Sequence, residues 1–305
     1  MNEFKNWQNR VLEILVFFDL FDYVLTLEEI VFFLGDINIS GKNIQNFCKN
    51  NKDISSYDNF FYLNKRKNLI PKRLKQEKLK KKMWRKVKFA QKLISFLPFI
   101  NSVFVCNNLA LGSFDEKSDI DLLIVSKNNR LFLARFFITS IFHLFGLRRH
   151  GRKIAGKFCL SFYISENELD LGKIKNSHDI YLAFWMKTLH SIFDLNDIST
   201  KLFKKNEYWL KDYFYDLKRH ELKIEILKIK SFFRKFMEAL LSGKFGNKIE
   251  NFLKEWQMKR AFEKKEQLKN TSGTIISKNM LKFHDFDKRA EIQRKFENKL
   301  SQLKI

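Results

Sequence analysis

Cysteine is scarce: the chain of 305 residues has three, Cys48, Cys106 and Cys159. An odd number without Cys-x-x-Cys spacing excludes a disulfide framework and a cysteine zinc site, and two of the three fall in segments that read as strands. They are expected to be small buried hydrophobes in a reducing cytoplasm. The six histidines lack zinc-protease spacing, and there is no Walker loop, dinucleotide fingerprint or nucleophile elbow. No internal repeat is evident. Long apolar runs are missing as well. Glu13 interrupts the first one, which argues against a secretory signal. The strongest membrane candidate, Leu131 to Leu147, is 17 residues long and includes Arg135 and His143, whereas a span needs roughly 20 mostly apolar residues. Arg135, Thr139 and His143 recur every fourth residue and predict one polar stripe on an otherwise buried helix. What remains is a cytoplasmic protein without a membrane partner, whose length suggests about two domains.

Acidic residues are outnumbered: 58 Lys and Arg stand against 34 Asp and Glu, a formal net charge of +24. The excess is concentrated. Between Lys65 and Lys92 there are 14 basic residues and a single acid, Glu77. Such a segment is either a solvated helix face or a surface that tracks the phosphates of DNA or RNA in a salt-dependent way.

Against that background, the run Ser118-Asp119-Ile120-Asp121-Leu122-Leu123-Ile124-Val125 carries the clearest chemistry. Side chains on a strand alternate faces, so Asp119 and Asp121 project together from a segment that otherwise reads as buried. Two carboxylates beside a buried strand need a compensating partner, and a divalent metal ion bound to substrate phosphates is one. Ser102-Val103-Phe104-Val105-Cys106 reads as the preceding strand.

This Asp-x-Asp after a strand and a polar loop resembles the metal-binding signature of the DNA polymerase β-like nucleotidyltransferase superfamily. Phe17-Phe18-Asp19-Leu20-Phe21-Asp22-Tyr23 and Leu281-Lys282-Phe283-His284-Asp285 extend the likeness, over most of the chain, to a group of bacterial nucleotidyltransferase-domain proteins. The resemblance implies a small mixed sheet flanked by helices, Mg²⁺ (or Mn²⁺) on Asp119 and Asp121 as the catalytic carboxylates, and a nucleoside triphosphate as substrate. It also implies a Gly-Ser pair about ten residues before the first aspartate to grip the triphosphate. Gly112-Ser113 stands too close to Asp119, and the usual spacing puts Asn107-Asn108 there instead. Asn107 can take the φ > 0 backbone of the missing glycine, and the Asn108 amide can donate to a phosphate oxygen. Ser118 is a further phosphate-positioning candidate, and Arg148-Arg149-His150-Gly151-Arg152-Lys153 is either a phosphate-binding loop or an ordinary basic turn. The superfamily's third carboxylate should lie on Lys157 to Ile164, which contains no acid. Ser161 is the expected occupant of its place, with Glu166 and Asp170 as alternatives. A neutral third position should weaken metal binding.

The expected architecture is an α+β nucleotidyltransferase (DNA polymerase β-like) fold in four parts. Residues 1–70 predict a winged-helix-like domain. Val11, Leu12, Leu15, Val16 and Phe18 have helical periodicity, Thr26 to Glu29 fit a capping box, Ile44, Phe47 and Cys48 mark a third helix, and Ile54 to Leu63 read as a hairpin with an Asp-Asn turn. Residues 71–98 predict a basic connecting helix, 99–175 the nucleotidyltransferase domain, and 176–305 a helical C-terminal region. In that last region Asn270 to Thr274 break the pattern before a final helix from about Asp285 to Leu303. The function expected is nucleotidyl transfer to an unidentified acceptor. The alternative is a catalytically weakened fold kept as a nucleic-acid-binding or regulatory module, and a partner-binding scaffold is a third.

Overall fold

A computed structural model describes residues 7–35, 39–151, 153–216, 231–267, 273–283 and 287–303. The N-terminal part contains α1 (Trp7–Asp19), β1 (Leu25–Thr26), α2 (Leu27–Leu34), α3 (Gly41–Asn50), β2 (Ile54–Tyr57) and β3 (Phe60–Leu63). Thr26 caps α2 reciprocally: its hydroxyl accepts from the Glu29 amide, and the Glu29 carboxylate accepts from the Thr26 amide at 2.9 Å. β2 and β3 form the hairpin across Asp58 and Asn59, with Asp58 at φ 55°, and β1 pairs with the other edge of β3. The long α4 (Leu69–Ser95) follows.

The rest of the chain supplies β4 (Ile100–Cys106), α5 (Asn107–Leu111), β5 (Ile120–Ser126), α6 (Leu131–Leu144), β6 (Phe158–Ser165), a 3₁₀ turn at Leu171–Ile174, and α7 (Ile180–Lys187). Then come β7 (His190–Asp194), α8 (Ile198–Leu210), α9 (Phe232–Leu240), α10 (Lys244–Glu266), β8 (Thr274–Ile276), β9 (Met280–Phe283) and α11 (Arg289–Gln302). Six of these strands make one mixed sheet in the order β7-β4-β5-β6-β9-β8, in which only the β5–β6 pair is parallel, joined by the α6 crossover.

The protein is therefore a mixed α+β molecule. The expectation of an all-helical region from 176 onward is corrected, because β7, β8 and β9 from that region provide half of the sheet's strands. Leu189, Ile192 and Phe193 continue the apolar spacing of α7, and so short a strand is specified by pairing with β4 rather than by its own period. Residues 217–230, within the region from 176 onward expected to be helical, lie outside the described residues, as do Asn270 to Ser272, His284, Asp285 and Arg152.

Alternation along the strands divides the core. Phe104, Leu123, Val125 and Phe162 face α1, α7 and α8, whereas Val105, Ile124 and Tyr163 face α4, α6 and α10. The first layer continues into the N-terminal helices, where Phe17 stacks on Phe184 of α7 with ring centroids 3.9 Å apart. Buried Asp19, at the end of α1, accepts from Arg66 Nε at 2.8 Å and from Lys299 of α11. Among the described residues no helix is long and apolar enough to cross a membrane.

Tyr23 couples the N-terminal part to the sheet. Its hydroxyl donates to Glu29 at 2.8 Å, the Arg73 guanidinium lies 4.2 Å from its ring centroid, and its ring covers Gly112 at the end of α5. A Cβ on Gly112 would stand 2.4 Å from that hydroxyl, and the glycine has φ 93°. Gly112→Ala is accordingly predicted to cost about 2–4 kcal/mol, from backbone strain and overpacking together. Urea denaturation checks this, and a loss below about 0.5 kcal/mol would contradict the close packing.

Candidate functional site

β4 ends and β5 begins side by side, with Cys106 opposite Asp121. The chain leaves β4 directly into Asn107, which has φ 54°, the left-handed backbone expected if it stands in for glycine. Its amide is clamped from behind: the side-chain oxygen accepts from Trp185 Nε1 at 2.7 Å and from the Tyr181 hydroxyl at 3.3 Å. With the oxygen so engaged, the amide nitrogen is the group left to donate to Asp121.

Asp121 lies on β5 and Asp119 immediately before it, their carboxylates close together. Each offers a carboxylate oxygen, and Cys159 offers its sulfur, with these atoms all within 4.8 Å of one another. Cys159 is the residue of β6 in register with Asp121. It takes the position that sequence reasoning gave to Ser161, and it was missed because a buried cysteine in a strand reads as an ordinary apolar residue. The available signal was strand register rather than residue type. Ser161 is beside it, its hydroxyl oxygen 3.1 Å from Cys159 Sγ.

Glu166 and Asp170 are elsewhere. Glu166 lies at the other end of the sheet, accepting from Asn101 Nδ2 at 2.7 Å and the Asn128 amide at 2.9 Å. Asp170 caps the 3₁₀ turn. Ser118 is engaged within its own loop, its hydroxyl donating to Asp115 at 2.7 Å and accepting from the Asp115 amide at 3.1 Å. Both bonds fix the loop that leads into β5. Gly112 closes α5 rather than facing a ligand.

Electrostatics at the site follow from burial. Burial first, and then repulsion by Asp119, pushes the Asp121 carboxyl up to about 6, with the Asn107 and Cys159 hydrogen bonds and Arg149 opposing. Burial also raises the Cys159 thiol and the Tyr181 hydroxyl above their usual values, with Asp121 adding to both. The site is thus two carboxylates among neutral donors. Arg149 supplies the compensating charge, pairing with Asp119 at 2.6 Å, while Arg148 lines a neighbouring cavity without entering the site.

Asp121, Asn107, Asn108 and Ser161 line one cavity of about 330 Å³. Phe21, Tyr181 and Trp185 give it an aromatic wall, and Lys282 and Arg289 contribute positive charge. Arg289 is occupied by Asp179 at 2.8 Å and by Asp287 at 2.6 Å. Lys282 has no carboxylate partner among the described residues, and burial, followed by repulsion from Arg289, lowers it from its usual value. Sequence reasoning missed Lys282 as a site residue, although it lies within the phrase Leu281-Lys282-Phe283 that helped carry the family resemblance. As a donor set, two carboxylates and a protonated thiol suit one hard dication on Asp119 and Asp121 better than two.

Comparison with protein-family models, with curated proteins and with solved structures gave no match.

A carboxyl that holds its proton more tightly in the folded chain loses folding free energy as pH rises from its ordinary 3.8 through the folded value of about 6. In EDTA, stability should therefore fall across that window. Asp121→Asn should flatten the fall and be more stable than the parent at pH 7 by roughly 2 kcal/mol. Urea melts at pH 4.5 and 7 check this; an Asn variant less stable at both would contradict it.

Proposed function

We propose that the protein is a divalent-metal-dependent nucleotidyltransferase with the DNA polymerase β-like fold, moving a nucleotidyl group from a nucleoside triphosphate to an acceptor. The observation that carries this is the junction of β4 and β5: a left-handed Asn107 leaves one strand one residue beyond the register partner of Asp121 on the next, and both line one cavity. On this reading Asn107, Asn108 and the Asp121 carboxylate would meet one small ligand in that cavity.

Asp119 and Asp121 would hold Mg²⁺ or Mn²⁺, which supplies charge neutralisation on the triphosphate. Asn108 and Lys282 bind its oxygens, Lys282 as an otherwise unmatched point charge. Asn107 orients Asp121, and Trp185 and Tyr181 orient Asn107. Arg149, paired with Asp119, would have to release that carboxylate for Asp119 to serve as a metal ligand. An acceptor oxygen then bonds to the α-phosphorus, the bond from that phosphorus to the bridging oxygen breaks, and pyrophosphate leaves. The acceptor's proton passes to water.

A second reading has a specific observation behind it. The neutral Cys159 and the Arg149–Asp119 ion pair both suit a chain that has lost catalytic metal and keeps the fold as a binding or regulatory module. Titration with Mn²⁺ separates the two. The parent should bind one ion and Asp121→Asn none, and incubation with α-labelled triphosphates should yield pyrophosphate only with the parent. Cys159→Asp, which restores a third carboxylate, should tighten Mn²⁺ binding about tenfold or more, and Ser161→Asp should do less. Absence of Mn²⁺ binding by both the parent and Cys159→Asp would remove the transferase reading.

The N-terminal three helices and hairpin are read here as a winged helix, and α4 as its link to a nucleic-acid surface. Support comes from how the cations of α4 divide. Lys72, Arg73 and Lys75 pair with acids, whereas Lys78, Lys81, Lys82, Arg85 and Lys92 are exposed along one face at helical spacing. Replacing Lys78, Lys81, Lys82 and Arg85 with glutamine should weaken binding to all DNA or RNA sequences. It should also reduce the slope of log affinity against log salt by about 0.9 per lost phosphate contact on duplex DNA. Filter binding over a salt series decides it, and an unchanged slope would leave this face as solvated charge.

A further inference from the structure

A second cavity, of about 630 Å³, opens between α6, α10, β6 and the loop after α6. Arg135, Arg148, Arg149, His150, Arg260 and Lys264 line it, and no carboxylate does. Arg149 alone has an ion partner, Asp119; Arg135, Arg148, Arg260 and Lys264 pair with no acid among the described residues. Arg135 donates through Nη1 to Gln257 at 2.7 Å, while its Nε is buried without a partner. Burial, with Arg148 and Arg260 adding repulsion, holds it below its usual basicity. Crowding like charges in this way is costly, and an anion relieves it. Guanidinium groups converging from three elements match the several oxygens of a phosphate.

The same cavity has flat apolar walls. Phe136 and Trp256 are 41% and 45% exposed, and they line it together with Phe283. Ser161 lies on both cavities, so this one adjoins the Asp121 cavity at β6. The segment around the loop after α6 also touches α4, where Lys86 Nζ donates to the Gly156 carbonyl at 3.0 Å and Phe89 meets Phe145.

We propose that this cavity binds the phosphate and ring of a nucleotide, free or at the end of a nucleic-acid strand, as the acceptor substrate. The acceptor role rests on the nucleotidyl-transfer reading; the nucleotide site itself does not. The acceptor oxygen whose bonding to the α-phosphorus releases pyrophosphate is then carried by this nucleotide.

Calorimetry on the full chain in EDTA and low salt tests the site with adenosine 5′-monophosphate, adenosine, inorganic phosphate and a 5′-phosphorylated tetranucleotide. The monophosphate should bind and adenosine should bind far more weakly. Arg148→Gln and Arg260→Gln should each weaken the monophosphate about tenfold or more. Trp256→Ala should weaken the monophosphate but not inorganic phosphate, and Asp121→Asn should change neither. A tetranucleotide that binds more tightly than the monophosphate and responds to Lys82→Gln and Arg85→Gln identifies a strand end; equal affinities identify a free nucleotide. No binding of the monophosphate, or binding indifferent to Arg148 and Arg260, overturns the site. Loss of Mn²⁺-dependent binding of a non-hydrolysable triphosphate in Arg260→Gln overturns the acceptor role, since the cavity would then hold the donor. Failure of the transferase reading shows separately, as absent Mn²⁺ binding with monophosphate binding intact.

Discussion

The structure turns on one unfavourable placement: the carboxyl of Asp121 is recessed beside that of Asp119, so that burial and repulsion both oppose its charge. Each neighbour answers that problem in part. Asn107 donates to it, Cys159 lies against it as a protonated thiol, and Arg149 reaches across to Asp119. None of them supplies a second positive charge to the pair. A dication would, which is why the arrangement reads as a site and not as a structural ion pair; a structural pair is built more economically with one carboxylate per guanidinium.

Asn107 performs two tasks that the sequence separates. Its backbone takes the positive φ that lets the chain leave β4 sharply, and its side chain is held by Tyr181 and Trp185 of α7. α7 is in turn pressed against α1 by the stacked pair Phe17 and Phe184, and α1 is tied to α11 by Asp19 and Lys299. The orientation of one amide at the site thus depends on packing between the N-terminal helices and the C-terminal part of the chain. Phe21 closes the sequence of contacts, since it belongs to the same turn as Asp22 and lines the Asp121 cavity.

Local signals were legible where local physics decides. Thr26 and Glu29 announce a reciprocal cap, Asp58 and Asn59 a tight turn, and the apolar run after Asp119 and Asp121 a buried strand; each depends on residues within a few positions of one another. Asn107 at positive φ was readable from the chemistry of asparagine together with a spacing argument. β7 and β9 were not, because strands of five and four residues carry too little period of their own and are fixed by β4 and β6. Cys159 and Lys282 were hidden for a related reason. Their roles depend on register with Asp121 and on a sheet order, β6 beside β9, that no short stretch encodes. Ser118, adjacent in sequence to the aspartates, has its hydroxyl bonded to Asp115 across its own loop, a contact that sequence adjacency does not announce.

Charge of one sign has two uses in this chain, and the structure separates them. Arg66, Arg73 and Arg289 are embedded among acids and fasten elements together, Arg73 joining Glu29 and Glu77 beneath Tyr23. Among the described residues, Arg135, Arg148, Arg260 and Lys264 of the α6–α10 cavity and the cations on the outer face of α4 are spared from such pairing, Arg149 with its Asp119 being the exception in the cavity. Fastening can be done by an arginine with an acid anywhere in the fold, so it does not account for guanidinium groups gathered where no acid follows them. Repulsion among Arg135, Arg148 and Arg260 disfavours the folded chain in the absence of a ligand and favours any phosphate that enters. The same asymmetry operates at Asp121 with the sign reversed. Two adjacent regions of opposite unbalanced charge meet at Ser161; on the proposed transfer reading, that arrangement would bring a metal-bound phosphate and a second phosphate-bearing molecule together.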